Sequence, residues 1–229
     1  MNIYFLVEGK TERKVYPKWI SYFVPALSRI NSPTEALKNS YYLISGGGFP
    51  SILDNHFTDS VNDVNSVGNY DFLVIVIDTD NVSETQKREE VFEYIHTNNI
   101  SLINCELVII PQVVCMETWL LGNRRIYARN SSNIEVTAYS QHYDVANNDP
   151  ELMGVSNDYS GTIGDFHYQY LKAMLHEKNI RYSKTRPKDV GRTHYINELE
   201  ARLENDPNSL NSMRCLFSFL EKIAVGVNA

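Results

Sequence analysis

Four short, almost wholly apolar runs mark the first half of the chain: Asn2–Val7, Tyr41–Ser45, Phe72–Ile77 and Leu107–Ile110. Runs of this length and composition read as strands covered on both faces, as in a parallel sheet. Between them, apolar residues recur at three- and four-residue steps. Val15, Trp19, Tyr22 and Phe23 predict an amphipathic helix over Glu12–Ile30. Val91, Phe92, Tyr94 and Ile95 predict another, with Ser83 placed to cap it and Glu84, Glu89 and Glu90 toward its beginning. Alternation of strand and helix implies βαβ crossovers and an α/β fold with about four mainly parallel strands.

The second half reads differently. From Ala128 to Asp165 the chain turns to Asn, Ser, Asp, Gly and Thr, in clusters such as Asn130–Asn133 and Asn147–Pro150, which predicts an irregular connection. Helical spacing returns at Phe166–Leu175, Tyr195–Leu203 and Ser209–Val225. The expected division is an α/β domain over residues 1–125, then an irregular linker and mainly helical appendage over 126–229.

Candidate chemistry sits where the strands should end. Glu8 follows the first run, and Asp78 and Asp80 follow the third. In an open α/β sheet the carboxyl edge is where ligands bind. If the backbone stays extended through Asp78-Thr79-Asp80, both carboxylates point to one side and Thr79 to the other. Two hard oxygen ligands so placed suit Mg2+ or Mn2+ shared with substrate phosphate. Gly9 permits a tight turn after Glu8, Thr11 is placed to cap the next helix, and Lys10 would sit at that helix N-terminus, a place suited to phosphate. Glu12, four residues after Glu8, reads first as an exposed first-turn glutamate favoured by the helix dipole, with a supporting place behind the metal ligands as the other reading. Gly46-Gly47-Gly48 reads either as a flexible turn or as a backbone cradle; it matches neither the P-loop nor the dinucleotide fingerprint, so no ATP or NAD site is expected.

Val7-Glu8-Gly9-Lys10-Thr11-Glu12, followed some seventy residues on by a hydrophobic strand ending in Asp78-Thr79-Asp80, resembles the Toprim domain of topoisomerases, primases and OLD-type nucleases. Met116-Glu117-Thr118-Trp119-Leu120-Leu121 resembles the third motif of small bacterial Toprim proteins that accompany ATPases in anti-phage defence. The resemblance covers roughly residues 1–122. Asn81-Val82-Ser83 departs from it, since many Toprim proteins have a glycine shortly after the Asp pair. It implies a Rossmann-like Toprim core and a Mg2+- or Mn2+-dependent nuclease, with Glu8, Asp78, Asp80 and Glu117 as metal ligands. Glu117 then joins from a fourth strand; the other reading is a salt-bridged structural acid. Lys184 is the candidate cation for the phosphate in the transition state, beside Glu8, Asp78 and Asp80 as catalytic acids.

Composition narrows this picture. The net charge is −7, which argues against a protein that coats nucleic acid through a general basic surface. Lys172–Arg192, however, carries seven basic residues against two acids, so this segment is +5 and the remainder −12. Such a face suits a phosphate backbone gripped at one place. Cys105, Cys115 and Cys215 form no paired motif, and His56, His96, His142, His167, His176 and His194 show no metal-ligand spacing; the histidines are expected at the surface or half-buried. The apolar run before Glu8 is too short for a signal-peptide core, and no stretch approaches a membrane span, so a cytoplasmic protein without a membrane partner is expected.

The resulting expectation is a metal-dependent nuclease acting on DNA or RNA, tRNA included, as the antiviral effector of a partner ABC-type ATPase, with homo-oligomers open. The rivals are a non-hydrolytic Toprim-like regulatory or adaptor subunit and a small-nucleotide phosphatase with Asp78 as nucleophile.

Overall fold

The computed structural model describes residues 1–129 and 131–228, so Asn130 of the Asn/Ser-rich run lies outside the described residues. Its centre is an α/β, Rossmann-like core: strands β1 (Asn2–Val7), β2 (Ser28–Arg29), β3 (Ser40–Ser45), β4 (Phe72–Asp78) and β5 (Glu106–Gln112) form one parallel sheet in the order β2-β3-β1-β4-β5. The fifth strand, beyond the four expected, is the two-residue β2 at the edge. It lies inside the helix predicted over Glu12–Ile30. That helix, α1, instead stops at Phe23 because Pro25 bars helical geometry at Val24, which adopts φ −131°, ψ 68°.

Side chains alternate across the sheet, and each face has its own cover. Tyr4 and Leu6 of β1 with Leu73, Ile75 and Ile77 of β4 meet a π-helical segment (Ile52–Phe57), helix α2 (Thr58–Val67) and helix α3 (Glu84–Thr97). Ser83 caps α3 as expected, in a reciprocal capping box with Gln86. Ile3, Phe5 and Val7 with Val74 and Val76 meet α1 and the C-terminal helices: α4 (Met116–Leu120), α5 (Ile134–His142), α6 (Ile163–Glu177), α7 (Thr193–Asn205) and α8 (Asn211–Asn228).

The C-terminal half therefore shares one hydrophobic core with the sheet. Phe219 of α8 packs edge-on against Phe5 and Phe72, at centroid distances of 6.5 and 5.5 Å. Phe217 meets Trp19 and Phe23 at 5.4 and 4.7 Å. The stretch expected to be irregular is also packed. It contains α5, whose Tyr139 stacks on Tyr170 of α6 at 4.9 Å. Its polar turns are tied down by Arg202, fully buried, which donates to the carbonyls of Val145 (2.7 Å) and Asn148 (2.9 Å). Asn and Asp side chains elsewhere in it close local turns, as Asp144 does by accepting from the Ala146 N–H.

One histidine departs from expectation. His167 is fully buried between Thr118 Oγ1 (2.7 Å) and the Met153 carbonyl (2.9 Å), and burial lowers its pKa to about 4. No helix among the described residues is long and apolar enough to cross a membrane.

A core shared by sheet and C-terminal helices should unfold as one unit. Phe217→Ala, at a 3%-exposed position, is expected to cost about 3–5 kcal/mol. Trp fluorescence and far-UV circular dichroism should still give coincident transitions; two separated transitions in the wild type would contradict the shared core.

Candidate functional site

The direction of building reverses beside β1: from β1 the chain crosses to the edge strand β2 and returns through β3 on one side, then passes to β4 and outward to β5 on the other. The crevice between the carboxyl ends of β1 and β4 is thus the topological switch point, where open α/β sheets bind ligands. Four acids converge on it. Glu8 follows β1, Asp78 ends β4, Glu12 opens α1 and Glu117 sits in the first turn of α4. All four line one cavity of about 270 Å³, together with Lys10, Lys184 and the glycine turn at Gly47 and Gly48.

Backbone donors fix Glu8. Its Oε2 accepts from the Asp78 N–H (2.9 Å) and its Oε1 from the Phe49 N–H (3.1 Å). One carboxylate thereby ties β1, β4 and the glycine turn together. Gly47 and Gly48 take φ values of +77° and +101°, and the Gly48 N–H donates to the Glu8 carbonyl (3.1 Å), so the turn folds back over Glu8.

Glu12 is where the sequence reading fails most usefully. It is 3% exposed rather than solvated, and its carboxylate turns in toward the cavity. A Cβ at position 9 would lie 2.5 Å from Glu12 Oε2, so glycine there leaves the room that the inward carboxylate needs. The signal in the sequence is Glu8-Gly9-x-x-Glu12: a second acid four residues after the first, beside the one residue without a side chain. Thr11 does not cap α1, because its own backbone is already helical; its hydroxyl donates to the Lys184 carbonyl (3.4 Å).

Gln112, which also escaped the sequence reading, ends β5 opposite Asp78 in the ladder. Its amide, oriented by its neighbours, donates to Glu12 Oε1 (3.2 Å) and Asp78 Oδ1 (3.0 Å) and accepts from the Tyr16 hydroxyl (3.0 Å). Glu117 belongs to a helix rather than to the fourth strand the resemblance implies. It is 1% exposed, accepts from the Tyr182 hydroxyl (2.8 Å) and pairs with Lys184 Nζ (3.7 Å).

Asp80 behaves differently from Asp78. The chain does not stay extended: Thr79 is buried and accepts from the Val114 N–H (2.9 Å), while Asp80 turns into the left-handed region at φ +51°. Asp80 stands exposed outside the cavity wall, close enough for its charge to raise Glu8 and Asp78. Glu8, Asp78, Glu117 and Lys184 are thus brought together, with Asp80 beside them.

The crowding has electrostatic consequences. Asp78 keeps an opening to the cavity, yet burial first, then the charges of Glu12, Glu8 and Glu117, push its pKa well above the carboxylate range. Burial raises Glu8 too, opposed by the Asp78 N–H, and raises Glu12 to about 7, with Glu117 and Glu8 adding to it. Burial pulls Lys184 down, but Glu117 above all outweighs it and holds the ammonium charged. Four carboxylates share few positive charges in a poorly hydrated space, the setting in which a cation is most strongly attracted. Their donor set, all carboxylate oxygen, suits Mg2+ or Mn2+. Among the described residues, no three His, Cys, Asp or Glu side chains form a group that could hold a metal ion by themselves. Such an ion would be held by one or two of the carboxylates with water and substrate phosphate, the usual manner for Mg2+.

The raised carboxylates make stability pH-dependent in a definite direction. Glu12 titrates near 7 when folded and near its ordinary 4.5 when unfolded, so between those values the folded chain holds more protons. Its contribution is complete below about 4.5 and is lost as pH rises through 7. In chelator, Glu12→Gln should melt higher than the wild type at pH 8 and lose much of that advantage at pH 5; an equal or lower melting temperature at pH 8 would contradict the buried-charge reading.

Compared with protein-family models, curated proteins and solved structures, the chain matches none of them.

Proposed function

We propose that this protein is a divalent-metal-dependent phosphodiesterase acting on nucleic acid, a Toprim-type nuclease. The observation that carries the reading is the convergence of Glu8, Glu12, Asp78 and Glu117 with Lys10 and Lys184 in one cavity at the switch point of the sheet. Phosphodiester hydrolysis needs a deprotonated water oxygen at phosphorus and positive charge around the phosphoryl oxygens. Acids and cations in one crevice supply both requirements.

Asp78 and Glu8 would hold the metal, with Glu117 or Glu12 contributing as substrate enters; bound there, Mg2+ or Mn2+ supplies a water of lowered pKa and charge neutralisation. The rest is the work of this chain. Lys184, kept charged by Glu117, faces the phosphate. Glu12, turned into the cavity beside Asp78, is placed to take the proton of the attacking water. The water oxygen bonds to phosphorus, its proton passes to Glu12, the ester P–O bond breaks and the leaving oxygen takes a proton from solvent water, Glu12 later giving its own back to solvent. Gln112 keeps Glu12 and Asp78 at a common focus, and Tyr182 does the same for Glu117. Asp80 flanks the site as a further ligand or as a source of negative potential that raises Glu8. The chain has no P-loop, so ATP control would come from a partner, an ABC-type ATPase in antiviral defence, as the resemblance implies.

Plasmid, single-stranded DNA and total RNA incubated with Mg2+ or Mn2+ against chelator test the reading. The wild type should cleave at least one substrate only with metal, and Asp78→Asn or Glu8→Gln should lower the rate about a hundredfold or more while melting as a folded protein. Undiminished cleavage by both variants would overturn the assignment. Metal binding without cleavage of any substrate would favour the regulatory subunit instead.

A further inference from the structure

A row of cations runs out of the acidic cavity along α1. Lys14 and Lys18, four residues apart, share one ridge of α1, Lys10 stands in the turn that leads into the helix, and all three are exposed. Beside the ridge lies the loop from Tyr182 to Arg192, with Lys184, Arg186, Lys188 and Arg192 exposed. The two are joined by hydrogen bonds that use lysines as donors to backbone. Lys14 Nζ donates to the Thr185 carbonyl (2.5 Å) and Lys18 Nζ to the Lys188 carbonyl (3.0 Å), while the Thr11 hydroxyl donates to the Lys184 carbonyl (3.4 Å).

This arrangement is unusual in its charge. Seven cations stand along the seam, and the one acid in the loop, Asp189, pairs with Arg192 (3.1 Å). Cationic loop is held against cationic helix by carbonyls rather than by carboxylates; Lys184 pairs with Glu117 and Arg192 with Asp189, and the charge of Lys10, Lys14, Lys18, Arg186 and Lys188 faces outward. It does so on a chain whose net charge is −7. The row has two ends: Lys10 and Lys184 line the acidic cavity, and Lys18 and Arg192, with His194, line a second, open hollow of about 640 Å³. The charge is thus a band leading to the cavity, rather than a scatter.

We infer that this band binds the sugar-phosphate backbone of the nucleic acid and leads one phosphate into the carboxylate cavity; the inference rests on the nuclease reading and names how its substrate is held. Lys14 to Lys18 is one turn of α1, about 6 Å at 1.5 Å per residue, and with Lys10 ahead of it and the loop cations beside it the band offers contacts to about three successive phosphates of one strand. Contacts of this kind carry no base information, so binding should be strong in low salt and indifferent to sequence. Lys14 and Lys18 are positioning residues here: by holding the loop they place Lys184 at the mouth of the cavity.

The test is binding without cleavage. Fluorescein-labelled single-stranded and duplex oligonucleotides of unrelated sequences are titrated with the full chain in EDTA, and anisotropy is read across a salt series. About three phosphate contacts predict a slope of log affinity on log salt of about −2 for single strands and about −2.7 for duplex. Arg186→Glu/Lys188→Glu should weaken binding about tenfold or more and flatten the slope by about 1.4 for single strands and about 1.8 for duplex. The milder Arg186→Gln/Lys188→Gln should do so in part, and circular dichroism reports whether each variant is folded. Wild-type affinity in both folded loop variants, or equal competition by polyglutamate and oligonucleotide, would overturn the band as a nucleic-acid surface. Neither outcome touches the nuclease reading, which stands or falls on metal-dependent cleavage and its loss in Asp78→Asn.

Discussion

Mutual repulsion among carboxylates that the fold forces together is the constraint on which the site depends. Glu8, Glu12, Asp78 and Glu117 come from four separate elements and meet at one crevice. Separately, each would be an ordinary strand-end or helix-start acid. Together and poorly hydrated, three of them are pushed toward holding protons, and their neighbours are the groups that make the crowding tolerable: the N–H groups on Glu8, the Gln112 amide between Glu12 and Asp78, Tyr182 and Lys184 at Glu117. A buried cluster of like charge costs stability unless paired. Its retention in a well-packed core is understandable as a site waiting for positive charge.

The C-terminal helices make the site complete. They cover the sheet face that α1 leaves open, with Phe217 and Phe219 reaching Trp19 and β1. The loop between α6 and α7 rides on this packing and delivers Tyr182 and Lys184 to Glu117, some seventy residues away in sequence. An appendage alone could not position a lysine against a buried acid. The shared core does, and the lysine-to-carbonyl bonds from α1 fix the loop locally.

Much of the fold is legible in the sequence because apolar strand runs and helical spacing are local signals. β1, β3, β4 and β5, α3 with its Ser83 cap and the later helices follow from them. β2 does not, since two residues at a sheet edge carry no pattern, and the end of α1 required giving Pro25 its due. The burial of Arg202 and His167 is not legible because a single polar residue within a helix gives no sign of the tertiary contacts that will enclose it. In the site, Glu8 and Asp78 are visible as acids ending apolar strands. A first-turn glutamate such as Glu12 is normally exposed; its burial depends on Gly9 and on a partner strand that no local pattern announces. Asp80 was read as parallel to Asp78 on the assumption of extended backbone, which the turn at Thr79 breaks.

The central claim is that these carboxylates receive a divalent ion. Anomalous diffraction from crystals grown with saturating Mn2+ tests it most directly. The account predicts a peak in the crevice between the ends of β1 and β4, bounded by the carboxylates of Asp78 and Glu8 or their neighbours Glu12 and Glu117. A peak confined to other surface acids, or no peak with the cavity open and the carboxylates in their present places, would contradict it.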